Sequence, residues 1–270
     1  MKKSVVTSII GCLKLRPDYN SRMTDEILCG MEVKILKVLR NNWCKIRTHY
    51  NYEGYINGKD LLISGSLADF WHERKKLIVN AKCADLMSSA SFKSTILKSL
   101  TKGCIVAELS CDKDGFAKVC LPDGTSGFVR ESFLSEKRSR ANILSENEFR
   151  ISVANTAMDY LGTQYRWGGK TPFGIDCSGL ASMAYMLNGA IIYRDAKIKK
   201  GFPVKEISLK KIKKADLIFF PGHIAIYIED GRFIHSSMCN NGVNINSLNE
   251  NHDCYREDLL KSISAVGSIF

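Results

Sequence analysis

The stretch GKTPFGIDCSGLASMAYMLNG, residues 169–189, decides the fold of the C-terminal part of this chain. A loop broken by glycine and proline gives way there to an apolar segment, and Cys177 stands at the junction. Asp176 is a favourable N-cap residue and Gly189 a favourable stop, so the pattern predicts a buried helix that begins at Cys177. A helix N-terminus favours a thiolate and can stabilise an oxyanion. The position therefore suits a nucleophile, although a structural cysteine that opens a core helix is the commoner case without a partner base.

Residues 215–237, ADLIFFPGHIAIYIEDGRFIHSS, supply a candidate base. A buried strand ends at a Pro-Gly break, an alternating strand follows, and a returning strand carries a second histidine. A two-residue Asp-Gly loop would place His223 and His235 on opposite faces, whereas a three-residue Glu-Asp-Gly loop would place them on one face. If they act together on Cys177, we expect the odd loop, with His223 as base and His235 as the orienting group. Two alternatives stay open: structural histidines, and a zinc site of these three side chains.

The first 140 residues alternate apolar and polar side chains in short runs that are separated by polar turns. One pattern occurs twice, at a spacing of about 73 residues, and aligns Gly30, Trp43 and Gly54-Tyr55-Ile56 with Gly103, Phe116 and Gly127-Phe128-Val129. This duplication predicts two small β-barrels. The domains we expect are a first barrel at 1–66, a helical connector at 67–79, a second barrel at 80–139 and a third domain at 140–270.

Composition favours a reduced protein without a membrane span. The ten cysteines include no C-x-x-C pair, and several lie within apolar alternations, which is typical of buried thiols in a cytosolic protein; a disulfide framework is the alternative. The N-terminal MKKSVVTSIIGCLKLRPD lacks a small-residue cleavage site, so we interpret it as the first strands and expect a cytoplasmic location. No apolar run reaches the length of a transmembrane segment. The net charge of +11 favours anionic partners, but no basic-aromatic interleaving indicates nucleic acid.

The quoted motifs carry a resemblance. YRWGGKTPFGIDCSGL followed by ADLIFFPGHIAIYIEDGRFIHSS resembles the NlpC/P60 cysteine peptidases of bacterial cell walls, over residues 140–270. The two upstream segments resemble the bacterial SH3-like domains of the γ-D-glutamyl-L-diamino acid endopeptidases in that family. The resemblance implies an α+β fold, with a papain-like (NlpC-type) catalytic domain after two small all-β SH3-like barrels. It implies no metal and no organic cofactor.

The resemblance also implies roles for individual residues. Cys177 matches the nucleophile, His223 the base and His235 the third catalytic member. The matches to oxyanion or substrate-binding positions are Tyr165, Asp176, Ser178, Asp195 and Tyr52. Four of the five have structural alternatives: packing beneath the glycines for Tyr165, helix capping for Asp176, pairing with lysines for Asp195, and barrel packing for Tyr52.

Three departures from the family pattern bear on the substrate. Arg22 stands where the subgroup has a glutamate that, with the barrel tyrosine, holds the free N-terminal amine of the substrate; Asp25 or Glu26 would have to replace it. Ala196 replaces the usual serine after Arg-Asp, and the loop before His223 is short. The first departure puts the preference for a free amine in doubt, and the other two would alter the shape of the substrate site without removing the chemistry.

The activity implied is hydrolysis of the γ-D-glutamyl–diaminopimelate bond in cell-wall peptides of the L-Ala-γ-D-Glu-diaminopimelate type, in peptidoglycan remodelling or muropeptide recycling. Two other functions stay open. One is a lipid-active thiol acyltransferase or hydrolase of a related fold, which typically has its histidine before its cysteine. The other is a catalytically inactive peptidoglycan-binding module. The sequence leaves the oligomeric state open.

Overall fold

The computed structural model describes residues 2–63, 65–111, 115–139 and 145–270. The chain divides into two compact units, Met1–Lys137 and Arg138–Phe270. Within the described ranges, no helix is both long enough and apolar enough to cross a bilayer.

The N-terminal unit contains two antiparallel sheets that repeat each other strand for strand. The strands of the first sheet are β1 (Lys2–Val6), β2 (Ile10–Lys14), β3 (Met23–Leu28), β4 (Glu32–Val38), β5 (Trp43–Thr48), β6 (Glu53–Asn57) and β7 (Leu61–Leu62). Those of the second are β8 (Lys76–Val79), β9 (Cys83–Met87), β10 (Ile96–Thr101), β11 (Ile105–Cys111), β12 (Phe116–Cys120), β13 (Ser126–Arg130) and β14 (Leu134–Glu136).

The strand order shows the duplication directly. The first sheet runs β3-β2-β6-β5-β4-β1-β7 and the second β10-β9-β13-β12-β11-β8-β14, which is the same order shifted by seven strands. The apolar alternation that marked both repeats places one face of a strand in a barrel core, as in β4, where Val33 and Ile35 are buried and Glu32 and Lys34 are exposed. The two SH3-like barrels expected from the repeat are therefore both present.

The segment expected to form a helical connector, 67–79, is helical only in part. The helix α1 spans Ser66–Glu73 and ends at Arg74, whose backbone is extended. The chain then enters β8, which lies between β11 and β14, so the second sheet begins before residue 80. The apolar, partly β-branched run from Leu77 to Val79 is buried and belongs to a strand rather than to the solvent-facing helix expected there.

The C-terminal unit places two helices against an antiparallel sheet, which is the α+β arrangement that the sequence predicted. Its helices are α2 (Glu146–Met158), α3 (Cys177–Met186) and the short α4 (Glu257–Lys261). Its strands are β15 (Lys170–Thr171), β16 (Gly174–Ile175), β17 (Lys205–Ile207), β18 (Leu217–Phe220), β19 (His223–Glu229), β20 (Arg232–Ser237), β21 (Gly242–Ser247) and β22 (Ala265–Ser268). The main sheet has the order β17-β22-β18-β19-β20-β21, and α3 packs on β19 and β20.

Capping and one buried ion pair hold the helices in place. The side chain of Ser145 accepts the backbone N–H of Glu148 at the start of α2. From α2, the buried Arg150 reaches the chain just before β18, where its Nη1 lies 2.7 Å from Oδ1 of Asp216. Helix α3 is buried from Cys177 to Tyr185, as its apolar sequence predicts.

Candidate active site

Cys177 opens α3 and lines a cavity of about 370 Å³. The carboxylate of Asp176 caps the helix and accepts the N–H of Gly179 at 2.6 Å. Burial and the nearby Asp176 raise the pKa of the Cys177 thiol to about 11, although backbone N–H groups of Ile224 and Ser178 act on the sulfur in the opposite direction. The thiol is therefore protonated at neutral pH. The helix N-terminus does not by itself produce the thiolate that the sequence led us to expect, so the thiol needs a base.

Two histidines in the same cavity provide that base. Nε2 of His223 lies 2.7 Å from Nδ1 of His235. Burial, together with the smaller effects of His235 and Arg256, lowers the pKa of His223 to about 4. Burial likewise lowers the pKa of His235. Both rings are neutral at pH 7, and a neutral imidazole can accept a proton from a thiol.

The histidines share a face because of a bulge rather than a long loop. The turn between β19 and β20 has two residues, Asp230 and Gly231, both at positive φ, and pairs Glu229 with Arg232. This is the even turn that would separate the histidines. However, the register shifts between Tyr227 and Glu229, so Tyr227 pairs with Phe233 and Ile226 with Ile234. One step further along this register, Ala225 lies opposite His235. His223 is two residues from Ala225 and is therefore the diagonal neighbour of His235 on the same face of the sheet.

Asn246, on β21, determines the direction of hydrogen-bond donation between the two histidines. Its Nδ2 donates to the carbonyl of Cys254 at 3.3 Å, and a carbonyl can only accept, so its Oδ1 faces Nε2 of His235 at 2.9 Å. His235 must then carry its hydrogen on Nε2 and accept at Nδ1 from the Nε2–H of His223. The remaining nitrogen of His223, Nδ1, keeps its lone pair and can accept a proton from Cys177. Since both nitrogens of His235 are engaged, that ring has no lone pair left for a metal shared with Cys177.

Asp176 and Ser178, which the sequence assigned to a substrate groove, belong to a buried polar cluster instead. Two nitrogens of the buried Arg194 lie 2.9 and 3.1 Å from the two oxygens of Asp176, which also accepts the N–H of Gly168 at 2.7 Å. Arg194 donates to Oγ of Ser178 at 2.7 Å. Neither Asp176 nor Ser178 is among the residues that line the cavity. Their side chains hold the loop before Cys177 in place.

Tyr165 lines the cavity with the cysteine and both histidines. Burial and the neighbouring Cys177 and Asp176 raise its pKa to about 12. The phenol therefore stays protonated and can donate a hydrogen bond to an oxygen anion formed beside the sulfur. Its segment is fixed by a bridge to Ile175 and by a hydrogen bond from its backbone N–H to Asn241 at 2.9 Å.

Asp195, the other sequence-derived candidate in the C-terminal unit, does not line this cavity. Burial and the adjacent Asp195 raise the pKa of Tyr193, so the carboxylate of Asp195 lies beside that hydroxyl. Tyr52 lies in the N-terminal unit, where its backbone pairs with Thr48.

Arg22, which stands at the position of the amine-binding glutamate, and its two possible acidic replacements, Asp25 and Glu26, also lie in the N-terminal unit. Asp25 is fully buried and accepts the hydroxyl of Tyr50 at 2.5 Å, and Glu26 is also buried. Arg22 is exposed. The carboxylate of Asp25 is thus engaged by a phenol of its own barrel.

Comparison with known proteins places this site in a family. A model described as the NlpC/P60 family matches residues 162–260, and one described as a bacterial SH3 domain matches residues 13–61. A protein of Lysinibacillus sphaericus named dipeptidyl-peptidase 6 is 41% identical over 270 residues, which are 99% of each chain. The chain belongs to the NlpC/P60 family.

Two further relatives agree with this assignment. A Bacillus cereus protein named gamma-D-glutamyl-L-lysine dipeptidyl-peptidase is 28% identical over 247 residues, 85% of this chain and 72% of that protein. The crystal structure of an NlpC/P60 family protein from Bacillus cereus superposes with a TM-score of 0.82 at 23% identity and covers 98% of both chains, which shows the shared fold. As a member of the NlpC/P60 family, the protein is a peptidase.

Within this NlpC/P60 domain, sequence reasoning missed two residues. Asn246 lies in GVNINS, where it continues a regular alternation of apolar and polar residues, so the pattern does not mark it as a buried partner of the histidines. Arg256 lines the cavity beside the histidines, but it follows them by more than twenty residues and no local pattern links it to them. The positions of both residues near the histidines depend on the pairing of β21 with β20 and on the course of the chain after β21, which are tertiary features.

Proposed function

We propose that this peptidase hydrolyses the γ-D-glutamyl–diamino acid bond of cell-wall peptides, with L-Lys or diaminopimelate as the diamino acid. The observation that carries the proposal is the hydrogen-bonded chain His223–His235–Asn246, whose two neutral histidines line one cavity with Cys177. The names of the relatives support the bond type. A role in peptidoglycan remodelling or in recycling of muropeptides would use this reaction.

The reaction proceeds in two halves. Cys177 attacks the γ-carbonyl carbon of the D-glutamyl residue while its proton moves to Nδ1 of His223. The resulting imidazolium keeps its Nε2–H on Nδ1 of His235, a charge-assisted bond that stabilises it. Tyr165 donates to the oxyanion. The C–N bond then breaks, and the amine of the diamino acid leaves with the proton of His223.

The second half regenerates the enzyme. His223, neutral again, takes a proton from water as that water attacks the thioester carbon. The C–S bond then breaks, the carboxylic acid product leaves, and the proton on Nδ1 of His223 returns to the sulfur of Cys177. All proton transfers in the cycle use the same nitrogen, Nδ1 of His223, because its other nitrogen stays on His235.

The competing functions receive less support. A catalytically inactive binding module would have lost one of the three reacting side chains, but Cys177, His223 and His235 all line the cavity. A lipid-active enzyme has no counterpart among the relatives described above, which are named as peptidases.

The test is mass spectrometry of L-Ala-γ-D-Glu-L-Lys and L-Ala-γ-D-Glu-diaminopimelate after incubation with the protein under reducing conditions. We expect L-Ala-D-Glu from the wild type and none from Cys177→Ala. The same peptides with an acetylated N-terminus measure the requirement for a free amine, which Arg22 puts in question. No cleavage of any of the four peptides would refute the proposal.

A further inference from the structure

The cavity contains one permanently charged side chain among the described residues that line it, and that side chain is Arg256. Its other ionisable lining groups are the Cys177 thiol, which burial keeps protonated, the thiol of Cys239, a phenol and two neutral histidines. The side chain of Arg256 is 25% exposed, so it is accessible to a bound substrate. The reaction described above uses no such cation.

Arg256 is held rigidly at both ends. Its backbone N–H donates to the carbonyl of Ser247 at 2.9 Å, and its carbonyl accepts the N–H of Leu260 at 3.0 Å. At the tip, Nε and Nη2 donate to the two oxygens of Asp258 at 2.7 and 2.6 Å. Because the guanidinium is already fixed, binding a ligand there loses little side-chain entropy.

The ion pair with Asp258 occupies only one edge of the guanidinium. The other edge, formed by Nη1 and the second hydrogen of Nη2, meets no acceptor within the part of the chain that the structure describes. Two parallel N–H donors of this kind match the two oxygens of a carboxylate. Asp258 does not cancel the field of the cation in the cavity, because Arg256 still lowers the pKa of His223 and of His235.

The position of Arg256 indicates which half of a substrate it would contact. Its charge acts on both histidines, whereas the cation that acts on Cys177 and Tyr165 is Arg194. Arg256 is therefore on the imidazole side of the cavity. A general acid must lie beside the amine that it protonates, so this side faces the leaving half of the substrate.

We propose that Arg256 binds a carboxylate of the leaving diamino acid and makes the enzyme select peptides that end in a free acid at that position. The inference rests on the proposed function, since only there is the leaving group a diamino acid. Arg256 is then a specificity-determining residue, and Asp258 is a positioning residue that holds the guanidinium group of Arg256 in place.

A pair of substrates tests the inference. L-Ala-γ-D-Glu-L-Lys with a free C-terminal carboxylate and the same peptide with a C-terminal carboxamide differ only in that group. We would measure kcat/KM on both for the wild type, Arg256→Gln and Arg256→Lys. The matched control is Arg232→Gln, which removes an exposed arginine at the start of β20 that does not line the cavity.

The wild type should prefer the acid by about 10- to 100-fold, the range of a charge-assisted bidentate contact. Arg256→Gln should bring the ratio close to one, Arg256→Lys should retain part of it, and Arg232→Gln should keep the wild-type ratio. A ratio near one in the wild type, or an unchanged ratio in Arg256→Gln, would overturn the inference and leave the peptidase proposal standing. If the wild type cleaves neither peptide, the comparison is made on the matching diaminopimelate peptides; if it cleaves none of the peptides, the proposed function fails and the inference fails with it.

Discussion

Replacing Asn246 by alanine tests whether the direction of the histidine chain matters for catalysis. The amide accepts Nε2–H of His235, a side chain that is 1% exposed. Without the amide, that buried N–H loses its acceptor at 2.9 Å and keeps only the lesser contact of the ring with the side chain of Asn244. The ring can then place its hydrogen on Nδ1 and donate to His223, which reverses the chain. His223 would carry its own hydrogen on Nδ1, toward Cys177, and could not accept the thiol proton.

The magnitude follows from the bond that is lost. A buried N–H left without an acceptor costs about 1–3 kcal/mol, and about 1.4 kcal/mol corresponds to a tenfold change in a population. We therefore expect kcat/KM of Asn246→Ala to fall by about 10- to 100-fold, mostly through kcat, because Asn246 does not line the cavity.

The conservative variant separates this effect from simple damage to the fold. In Asn246→Asp, a carboxylate oxygen still accepts Nε2–H, so the direction of the chain is kept. The added negative charge favours the imidazolium form and raises the pKa of the pair. We expect Asn246→Asp to be more active than Asn246→Ala, with an acid limb of kcat/KM that lies at higher pH than in the wild type.

Two readouts check the reasoning. Nitrogen chemical shifts of the imidazole rings report directly which nitrogen of His235 carries the hydrogen. Asn251→Ala is the control, because Asn251 is exposed and, among the described residues, its side chain bonds to Asn249 alone. The reasoning is refuted if Asn246→Ala keeps kcat within twofold of the wild type, or if His235 in the wild type is protonated at Nδ1.

Three further predictions concern the helices and the base. A Cβ on Gly179 would lie 2.1 Å from the carbonyl oxygen of Gly169, so Gly179→Ala should lower the free energy of unfolding by at least about 1–3 kcal/mol in urea titrations; an unchanged midpoint would contradict this. Arg150→Met leaves Asp216 charged at 1% exposure and should cost about 3–5 kcal/mol by the same assay, and a loss below 1 kcal/mol would contradict the role of the pair. Because the pKa of His223 is lowered to about 4, the imidazolium forms only well below pH 6.5, and kcat/KM should persist at pH 5.5; a limb at pH 6.5 would contradict the lowered pKa.

The barrels were predictable because their information is local. Alternation of apolar and polar residues shows which face of each strand is buried. The repeat at a spacing of about 73 residues indicates that two segments share one pattern of strands and turns. The strands from Met23 and from Ile96 have equal lengths and equal places in their sheets. The connector was less predictable, since its second half pairs with β11 and β14, which lie far along the chain.

The catalytic hairpin shows where local rules stop. Asp230-Gly231 favours a two-residue turn, and the turn forms as that rule says. The histidines share a face only because a bulge near Ile228 adds the residue that the turn does not supply. Packing of Ala225 and Phe233 in one core cluster fixes that bulge, and such packing is not written in the turn sequence.

The acid–base balance of the site follows from burial. Burial raises the pKa of Cys177 and lowers the pKa of His223, so both effects oppose a standing thiolate–imidazolium pair in the empty cavity. Charge then develops only when a substrate carbonyl reaches the sulfur. At that moment His235 can stabilise the imidazolium, and Tyr165 can stabilise the oxyanion, so these contacts are stronger in the transition state than before it. In the proposed reaction, the same burial that makes the resting thiol unreactive thus directs the stabilising groups toward the step that needs them.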